Sequence, residues 1–297
     1  MSGPHAAMFA DGRRLHLQHG PIDLIVEAGG ESGEAGAAYD QARARFDTVL
    51  AELVEELPAL RRAAAAGDGS LAGTTARRMQ TAVLPHATES FVTPMAAVAG
   101  AVADEVLAAM TSGRSLDRAY VNNGGDIAFH LGSGASFNVG LVQRPDRPEL
   151  GGMVRLARDD GIGGVATSGR HGRSLSLGIA DAVTVLARDA AAADAAATLI
   201  ANAVDTGPHP AVQRVAANSL DPDSDLGERL VVVEVGPLSE ADVTSALDRG
   251  ALVAESMRQR GLIAGAALFL QGGLRLIGAA APKSRQVQRQ GAPHARG

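Results

Sequence analysis

Residues 119–131 read AYVNNGGDIAFHL, in which two short apolar runs, 119–122 and 127–131, enclose the turn formers Gly124 and Gly125. Apolar runs of this length on either side of paired glycines are typical of two strands joined by a tight turn. Runs of the same kind follow at residues 137–143, 153–157, 164–167 and 182–187. The middle of the chain is therefore predicted to be rich in β-strands.

Helical patterns stand on both sides of this strand-rich region. Residues 37–66 place apolar side chains at helical spacing, with Pro58 as the point of a kink or break. Pro94 suits the first turn of a small-residue helix over 95–112, and an alanine-rich helix is predicted from Asp189 to about residue 204. The other predicted elements are strands at 15–19, 22–27, 230–235, 262–270 and 274–277, and a helix at 240–260 capped by Ser239. This order indicates an α+β layered fold with mixed or antiparallel sheets and flanking helices.

The composition suits a protein with a large core. Of the 297 residues, 46% are hydrophobic and 20% are charged, which lies far from the composition of disordered chains. One large domain, or two intimate ones, is expected over residues 1–281. The polar stretch 282–297 is predicted to be a disordered tail.

Charge and residue usage exclude several classes of function. The 27 basic and 33 acidic residues give a net charge of −6, and with 6 Phe, 2 Tyr and no Trp the chain is a poor nucleic-acid or membrane binder. The absence of cysteine excludes thiolate catalysis, and Lys283 is the one lysine, which disfavours Schiff-base chemistry. Because neither a signal peptide nor an uninterrupted membrane-spanning segment is evident, a cytoplasmic protein is expected.

The first candidate site is the turn that contains Gly124, Gly125 and Asp126. Paired glycines let backbone N–H groups approach a ligand, and the Asp126 carboxylate could bind a ribose hydroxyl, a metal or a loop amide. The alternative is an ordinary glycine-rich hairpin in which the aspartate satisfies its own turn.

The second candidate is residues 163–174, a strand that runs into a polar loop. Hydroxyls, exposed amides and cations occur together here, an inventory that suits a phosphate or pyrophosphate, in the residues Thr167, Ser168, Gly169, Arg170, His171 and Arg173. The segment lacks the lysine and the glycine spacing of a Walker loop. A structural turn with solvated arginines is the alternative.

The third candidate is the pair Asp194 and Thr198 on the alanine-rich helix. Residues four apart project from one face of a helix, and a carboxylate with a hydroxyl offers hard oxygen ligands for Mg²⁺. The alternative is an exposed aspartate and a threonine that bonds to its own helix. Residues 221–227 (DPDSDLG) resemble the start of a calcium loop, but the twelfth position would be Val232, so a structural turn is favoured.

A family resemblance is visible at these residues. The segments 122–127, 164–169 and 182–199 are similar, in this order, to the signature motifs of the ApbE superfamily of flavin transferases. Residues 94–104 (PMAAVAGAVAD), 169–185 and 221–227 more closely resemble uncharacterised protein family 0280, an ApbE-like group, and the resemblance covers about residues 15–277. It implies a T-fold-related layered fold.

The resemblance also implies ligands. Asp194 and Thr198 would hold Mg²⁺, while Gly124, Gly125, Asp126, Thr167, Ser168 and Gly169 would border FAD or FMN, and Arg170, His171 and Arg173 are phosphate contacts on chemical grounds. An ApbE transferase moves FMN from FAD to an acceptor protein. Transferases follow the Thr-Ser-Gly turn with His-Ile-x-Asp-Pro, whereas residues 178–181 read GIAD here, and their Gly-x-Ala-Lys-Gly element is reduced to AVAG at residues 97–100.

Two hypotheses for the function remain. The first is a Mg²⁺-dependent protein that binds a flavin nucleotide or a related phosphorylated ligand, and it includes FMN transferase activity. The second is a non-catalytic accessory or metabolite-binding protein of a biosynthetic pathway, such as sulfur assimilation. A third possibility is that the small-residue segments 96–103 and 190–197 only mediate tight helix packing or a homodimer interface, which would exclude neither function.

Overall fold

The computed structural model describes residues 3–31, 33–143 and 150–278. The predicted disordered tail at 282–297, with Lys283, lies outside the described residues. Within them the strands are β1 (His5–Met8), β2 (Arg14–His19), β3 (Ile22–Gly30), β4 (Leu116–Asn123), β5 (Asp126–Leu131), β6 (Ser136–Val142), β7 (Leu150–Ala157), β8 (Gly164–Ser168), β9 (Ala182–Ala187), β10 (Val212–Ala216), β11 (Leu230–Val235), β12 (Gly265–Leu270) and β13 (Gly273–Gly278). The α-helices are α1 (Glu34–Glu55), α2 (Leu57–Leu60), α3 (Thr74–Val83), α4 (Val98–Thr111), α5 (Ala190–Ala203), α6 (Ala217–Leu220) and α7 (Glu240–Gln259).

A single large sheet dominates the described part of the chain. Its nine strands lie in the order β1-β2-β3-β4-β5-β8-β9-β12-β13, and every pairing between them is antiparallel. Two separate antiparallel ribbons are formed by β6 with β7 and by β10 with β11. The α+β prediction is confirmed, and of the two kinds of sheet it allowed, the antiparallel kind is observed.

The large sheet buries both of its faces because successive side chains along a strand point to opposite sides. Ala128 packs with the helices in the main core, whereas its neighbour Phe129 belongs to a second core. In the same way Ala166 belongs to the main core and its neighbour Val165 to the second core. The second core is completed by Leu141 and Leu156 of the β6–β7 ribbon, so helices cover one face of the sheet and this ribbon covers part of the other.

Small residues allow α4, β8 and the loop before β9 to pack closely against α5. A Cβ atom added at Gly100 would overlap the backbone of Ala190, and one added at Gly164 would overlap the same turn of α5. A third glycine, Gly178, meets the other end of α5 at Ala201 in the same way. The small-residue segments therefore pack against each other within the chain, where larger side chains would not fit.

Local sequence signals placed several boundaries well. The long predicted helix breaks at the expected proline, because α1 ends at Glu55 and Pro58 lies in the first turn of α2. Ser239 caps α7, and its hydroxyl accepts a hydrogen bond from the amide of Asp242. Four elements were missed, namely β1, β10 and the helices α3 and α6. On α3, Ala76, Met79 and Val83 follow helical spacing on one buried face, a pattern that the prediction overlooked.

No apolar segment was expected to be long enough to cross a membrane, but the segment Pro94–Thr111 is. By length and composition alone it passes that test among the described residues. More than half of it is buried inside the protein, and Val102 and Val106 are fully covered by the main core. This segment is thus the central core helix of the fold.

Candidate functional site

A cleft of about 490 Å³ opens at the point where β5 and β8 separate. These two strands are in register only at Ile127 with Val165 and at Ala128 with Gly164, while β8 continues along β9 to Ser168. The cleft is lined by Ala99, Asn123, Gly124, Gly125, Asp126, Ile127, Val139, Gly140, Val165, Thr167, Ser168, Gly169, His171, Gly172, Arg173, Ser174, Asp194 and Thr198. A break in the sheet ladder thus leaves the backbone and side chains of both strand ends facing a cavity.

The two glycines of the β4–β5 turn contribute one rim of the cleft. Asn123 pairs with Asp126, so Gly124 and Gly125 form a two-residue hairpin loop with φ angles of 66° and 115°, a conformation that glycine adopts readily. The Asn122 Oδ1 atom accepts a hydrogen bond from the Gly125 amide at 2.8 Å. The predicted hairpin is present and borders the cleft, but Asp126 does not satisfy its own turn, because its side chain accepts from the Thr167 amide.

Asp126 joins the two separating strands through its side chain. Its Oδ1 atom accepts a hydrogen bond from the Thr167 amide at 3.1 Å, in place of a backbone ladder bond. Burial raises the pKa of Asp126 to about 7, although the Thr167 amide and the Arg173 guanidinium both act to lower it. Near neutral pH this carboxyl group therefore holds a proton part of the time, unless a cation approaches it.

Asp194 projects from α5 to the floor of the cleft. Its Oδ2 atom accepts a hydrogen bond from the Gly100 amide in the first turn of α4 at 3.0 Å. Burial raises the pKa of Asp194 well above its usual value, and repulsion from Asp126 raises it further. Thr198 lies one helical turn further along and also lines the cleft, so both predicted metal-site side chains face the same cavity as Asp126.

The arginines of the 163–174 loop have separate environments. Arg170 does not line the cleft, because its Nε and Nη2 atoms donate to Oδ1 of buried Asp181 at 2.9 and 2.6 Å. The same oxygen lies 3.3 Å from Nε2 of His171, and Oδ2 accepts from the Gln271 amide at 2.5 Å. Asp181 is thus fully occupied in holding this loop against the end of β12.

Arg173, in contrast, is exposed at the mouth of the cleft. A Cβ atom at Gly124 would overlap its Nη2 atom, so the guanidinium lies directly over the glycine turn. Within the described residues Arg173 donates no hydrogen bond and forms no ion pair, which leaves its donors available to a ligand. Of the nine predicted nucleotide-binding residues, Arg170 is the one that the structure places outside the cleft.

The sequence interpretation missed the apolar residues of the site. Ile127, Val139 and Val165 line the cleft together with the polar residues. Ile127 and Val165 read as ordinary strand residues, and the one available signal was their position directly beside the polar turns. Val139 is distant in sequence from every candidate motif, and only the packing of the β6–β7 ribbon brings it here.

The aspartate-rich stretch 221–227 forms a turn, as favoured. Asp221 accepts a hydrogen bond from the Asp223 amide at 3.0 Å, and Asp225 accepts one from the Thr93 hydroxyl. Among residues 3–31, 33–143 and 150–278, no three histidine, aspartate or glutamate side chains come together as a preformed metal cluster. A metal at the cleft would therefore need oxygen ligands besides protein carboxylates.

Comparison with known proteins gives matches by sequence and by structure. Residues 6–276 match the family model described as AbpE bacteria. A UPF0280 protein of Methanopyrus kandleri is 42% identical over 153 residues, 51% of this chain and 60% of that protein. A UPF0280 protein of Methanothrix thermoacetophila is 41% identical over 130 residues, 40% of this chain and 49% of that protein. The chain thus spans about half to three fifths of the length of these relatives.

Two solved structures are similar at low identity. A mutant of the flavin transferase ApbE from Vibrio cholerae superposes with a TM-score of 0.47 and 11% identity, over 93% of this chain and 97% of that one. The ApbE protein of Thermotoga maritima superposes with a TM-score of 0.46 and 12% identity, over 92% and 96% of the two chains.

Proposed function

The chain belongs to the family described as AbpE bacteria, an ApbE-like group, and from this premise we propose that its cleft binds a flavin nucleotide or a related phosphorylated ligand together with Mg²⁺. One observation carries the proposal. Three segments far apart in sequence, the 124–126 turn, the 167–173 loop and the Asp194–Thr198 face of α5, border a single cavity. Each contributes a chemical group that a phosphorylated ligand requires.

The phosphate end of the ligand is assigned to the mouth of the cleft. Ser168 offers a hydroxyl, and Arg173, which forms no hydrogen bond within the described residues, offers its guanidinium over Gly124. The Gly125 amide and the Thr167 hydroxyl also border the cleft, where they bond to Asn122 Oδ1 and to the Thr184 hydroxyl in the structure. Hydrogen bonds between an ionised phosphate and such donors are about twice as strong as bonds between neutral groups. His171 is held by Asp181 on the same side.

The floor of the cleft suits a divalent cation. Asp126 and Asp194 repel each other in a poorly solvated position, and a cation between them would relieve that repulsion. Asp194, Thr198 and Asp126 would hold the ion through hard oxygen atoms, and waters and ligand phosphates would complete the octahedral shell that Mg²⁺ prefers. When bound, the ion supplies neutralisation of phosphate charge. The residues present therefore fit the cation.

Two functions are compatible with such a site. The first is FMN transfer to an acceptor protein, and the second is ligand binding without transfer. A specific observation favours the second. Asp181, at the end of the stretch that departs from the transferase pattern, is taken up by Arg170, His171 and the Gln271 amide, so it serves to hold the loop. Release of AMP from FAD together with attachment of FMN to a hydroxyl of an added acceptor protein would establish transfer, whereas release of AMP with free FMN would establish hydrolysis by water. We place either function in the cytoplasm, in one ApbE-like domain that can form homo-oligomers.

Isothermal titration with FAD, FMN and ADP, each with and without Mg²⁺, tests the proposal. We expect at least one ligand to bind at micromolar concentration in a Mg²⁺-dependent manner. Thr198→Ala should weaken that binding about tenfold, the loss expected for one metal-oxygen contact of roughly 1.4 kcal/mol. Thr111→Ala is the matched control, because Thr111 is also helical but bonds to Leu107 O of its own helix. No binding of any of the three ligands would overturn the proposal.

A further inference from the structure

A second cavity, of about 460 Å³, lies between α3, α4 and the start of α5, and it shares no lining residue with the cleft. Three of its lining residues are arginines, namely Arg77 and Arg78 of α3 and Arg188 just before α5. The chain has a net charge of −6, so three guanidinium groups around one cavity form a local concentration of positive charge. This space is here called the arginine cavity.

The two carboxylates that line the arginine cavity already bond to the start of α5. The oxygens of Asp104 accept from the backbone amides at positions 190 and 191. Asp189 caps the helix through Oδ1, which accepts from the Ala192 amide at 2.8 Å, and its Oδ2 accepts from Arg188 Nε at 3.0 Å. Within the described residues neither carboxylate accepts a hydrogen bond from the two arginines of α3, so both of those guanidinium groups still face the cavity.

Each of the three arginines uses only part of its donor set. Arg77 donates from Nη1 to two backbone carbonyls of the preceding loop, Arg78 donates from Nε to Glu105 Oε2 at 2.7 Å, and Arg188 donates from Nε to Asp189. A guanidinium carries five N–H donors. Among the described residues, both Nη atoms of Arg78 and Arg188, and the Nε and Nη2 atoms of Arg77, donate no hydrogen bond. Such paired donors bind carboxylates and phosphates in a bidentate manner.

The rest of the wall is small and polar. Thr81 is exposed and its hydroxyl forms no hydrogen bond within the part of the chain that the structure describes, while Ala82 and Ala191 contribute only methyl groups. The lining residues include no aromatic and no large aliphatic side chain. A volume of about 460 Å³ lies in the range typical of small-molecule sites. The cavity therefore suits a compact ligand that carries several anionic groups.

We propose that the arginine cavity is a second ligand site, which binds a small organic molecule bearing two or more carboxylate or phosphate groups. Arg77 and Arg188 come from different elements and each pairs with an anionic group of the ligand. Arg78 remains bonded to Glu105 and adds positive charge. Because the two cavities share no residue, occupation of this site does not require the proposed function of the cleft.

Isothermal titration of the full chain with citrate and with pyrophosphate, both in metal-free buffer, tests the site. Citrate presents carboxylates and pyrophosphate presents phosphates, so the tighter ligand identifies the preferred anion. We expect at least one of them to bind at micromolar concentration. Arg77→Ala and Arg188→Ala should each weaken that binding about tenfold or more, because each removes one charge-assisted pair. The Arg188 side chain is 66% exposed, so its removal should leave thermal unfolding unchanged.

Arg118→Ala is the matched control, because Arg118 is an exposed arginine of β4 that does not line the cavity and its loss changes the net charge equally. Thr198→Ala, in the cleft, is the second control, and both should keep the affinity within about twofold of the wild type. Equal affinities in the wild type and in both cavity variants would overturn the second site, and so would failure of both anions to bind. Loss of binding in Thr198→Ala alone would assign the anions to the cleft and likewise overturn it.

Discussion

Asp104 and Asp194 each cap the helix to which the other belongs, because each side chain accepts hydrogen bonds from backbone amides of that helix. Asp104, in α4, accepts from the amides of Ala190 and Ala191 at 3.0 and 2.8 Å, at the start of α5. Asp194, in α5, accepts from the amide of Gly100, at the start of α4. Three first-turn amides of the two helices are satisfied in this way, and these bonds fix the position of Asp194 in the cleft.

Removing the Asp104 carboxylate should destabilise the protein. Asp104→Ala leaves two buried amides of α5 without acceptors, and we expect a loss of about 2–4 kcal/mol in the free energy of unfolding. Urea denaturation measures this loss. Asp117→Ala on the exposed side of β4 is the control and should change stability by less than about 0.5 kcal/mol. An equal effect of the two substitutions would contradict the capping role.

The same carboxyl group should make stability depend on pH. Burial raises the pKa of Asp104 to about 6, although its two amide hydrogen bonds oppose the shift. Because the folded state binds the proton more tightly than the unfolded state, this contribution to stability is complete below about pH 4 and is lost as the pH rises towards 7.

Asp104→Asn isolates that contribution, because the amide does not titrate in this range. The stability of the wild type minus that of Asp104→Asn should fall between pH 4.5 and pH 7.5 by about 1–3 kcal/mol. Denaturation curves of both proteins across this range measure the difference. A difference that stays constant or grows with pH would contradict the raised pKa.

Gly124→Ala should weaken ligand binding more than it weakens the fold. The substitution meets a positive φ, which costs about 1 kcal/mol, and its Cβ atom displaces the Arg173 guanidinium. Gly134→Ala is the matched control, since Gly134 has a similar positive φ with open space around it. Both variants should lose similar stability, and only Gly124→Ala should lose affinity for the Mg²⁺-dependent ligand, by about tenfold. If the two variants bind the ligand equally well, Arg173 does not contribute to ligand binding.

Arg170→Ala and Arg173→Ala should have opposite signatures. Arg170 forms an ion pair with buried Asp181, so its removal should lower the unfolding free energy by about 2–4 kcal/mol. Arg173 is exposed and unpaired within the described residues, so its removal should leave stability within about 0.5 kcal/mol and reduce ligand affinity about 10- to 100-fold. Thermal unfolding and titration on both variants distinguish the roles, and loss of stability in Arg173→Ala would contradict the assignment.

Local sequence signals were sufficient for most of the fold. The turn at Gly124 and Gly125, the break at Pro58 and the cap at Ser239 depend on chemistry within four residues, and all three are found as predicted. The helix α3 was missed although such a signal is present, because Ala76, Met79 and Val83 recur at helical spacing on one face. Its apolar residues, such as Met79 and Val83, are buried by contacts with other elements, while its remaining positions are largely polar.

The sequence by itself determined the element types, the antiparallel or mixed α+β class and the short motifs of the candidate site, because these follow from side-chain period, turn residues and i, i+4 spacing. Only the tertiary structure decided that Arg170 forms an ion pair with Asp181 while Arg173 faces the cleft, that Val139 lines the cleft, and that Asp126 raises the pKa of Asp194. Such features depend on distances between residues far apart in the chain and on the burial that packing imposes, and neither quantity is contained in a local pattern.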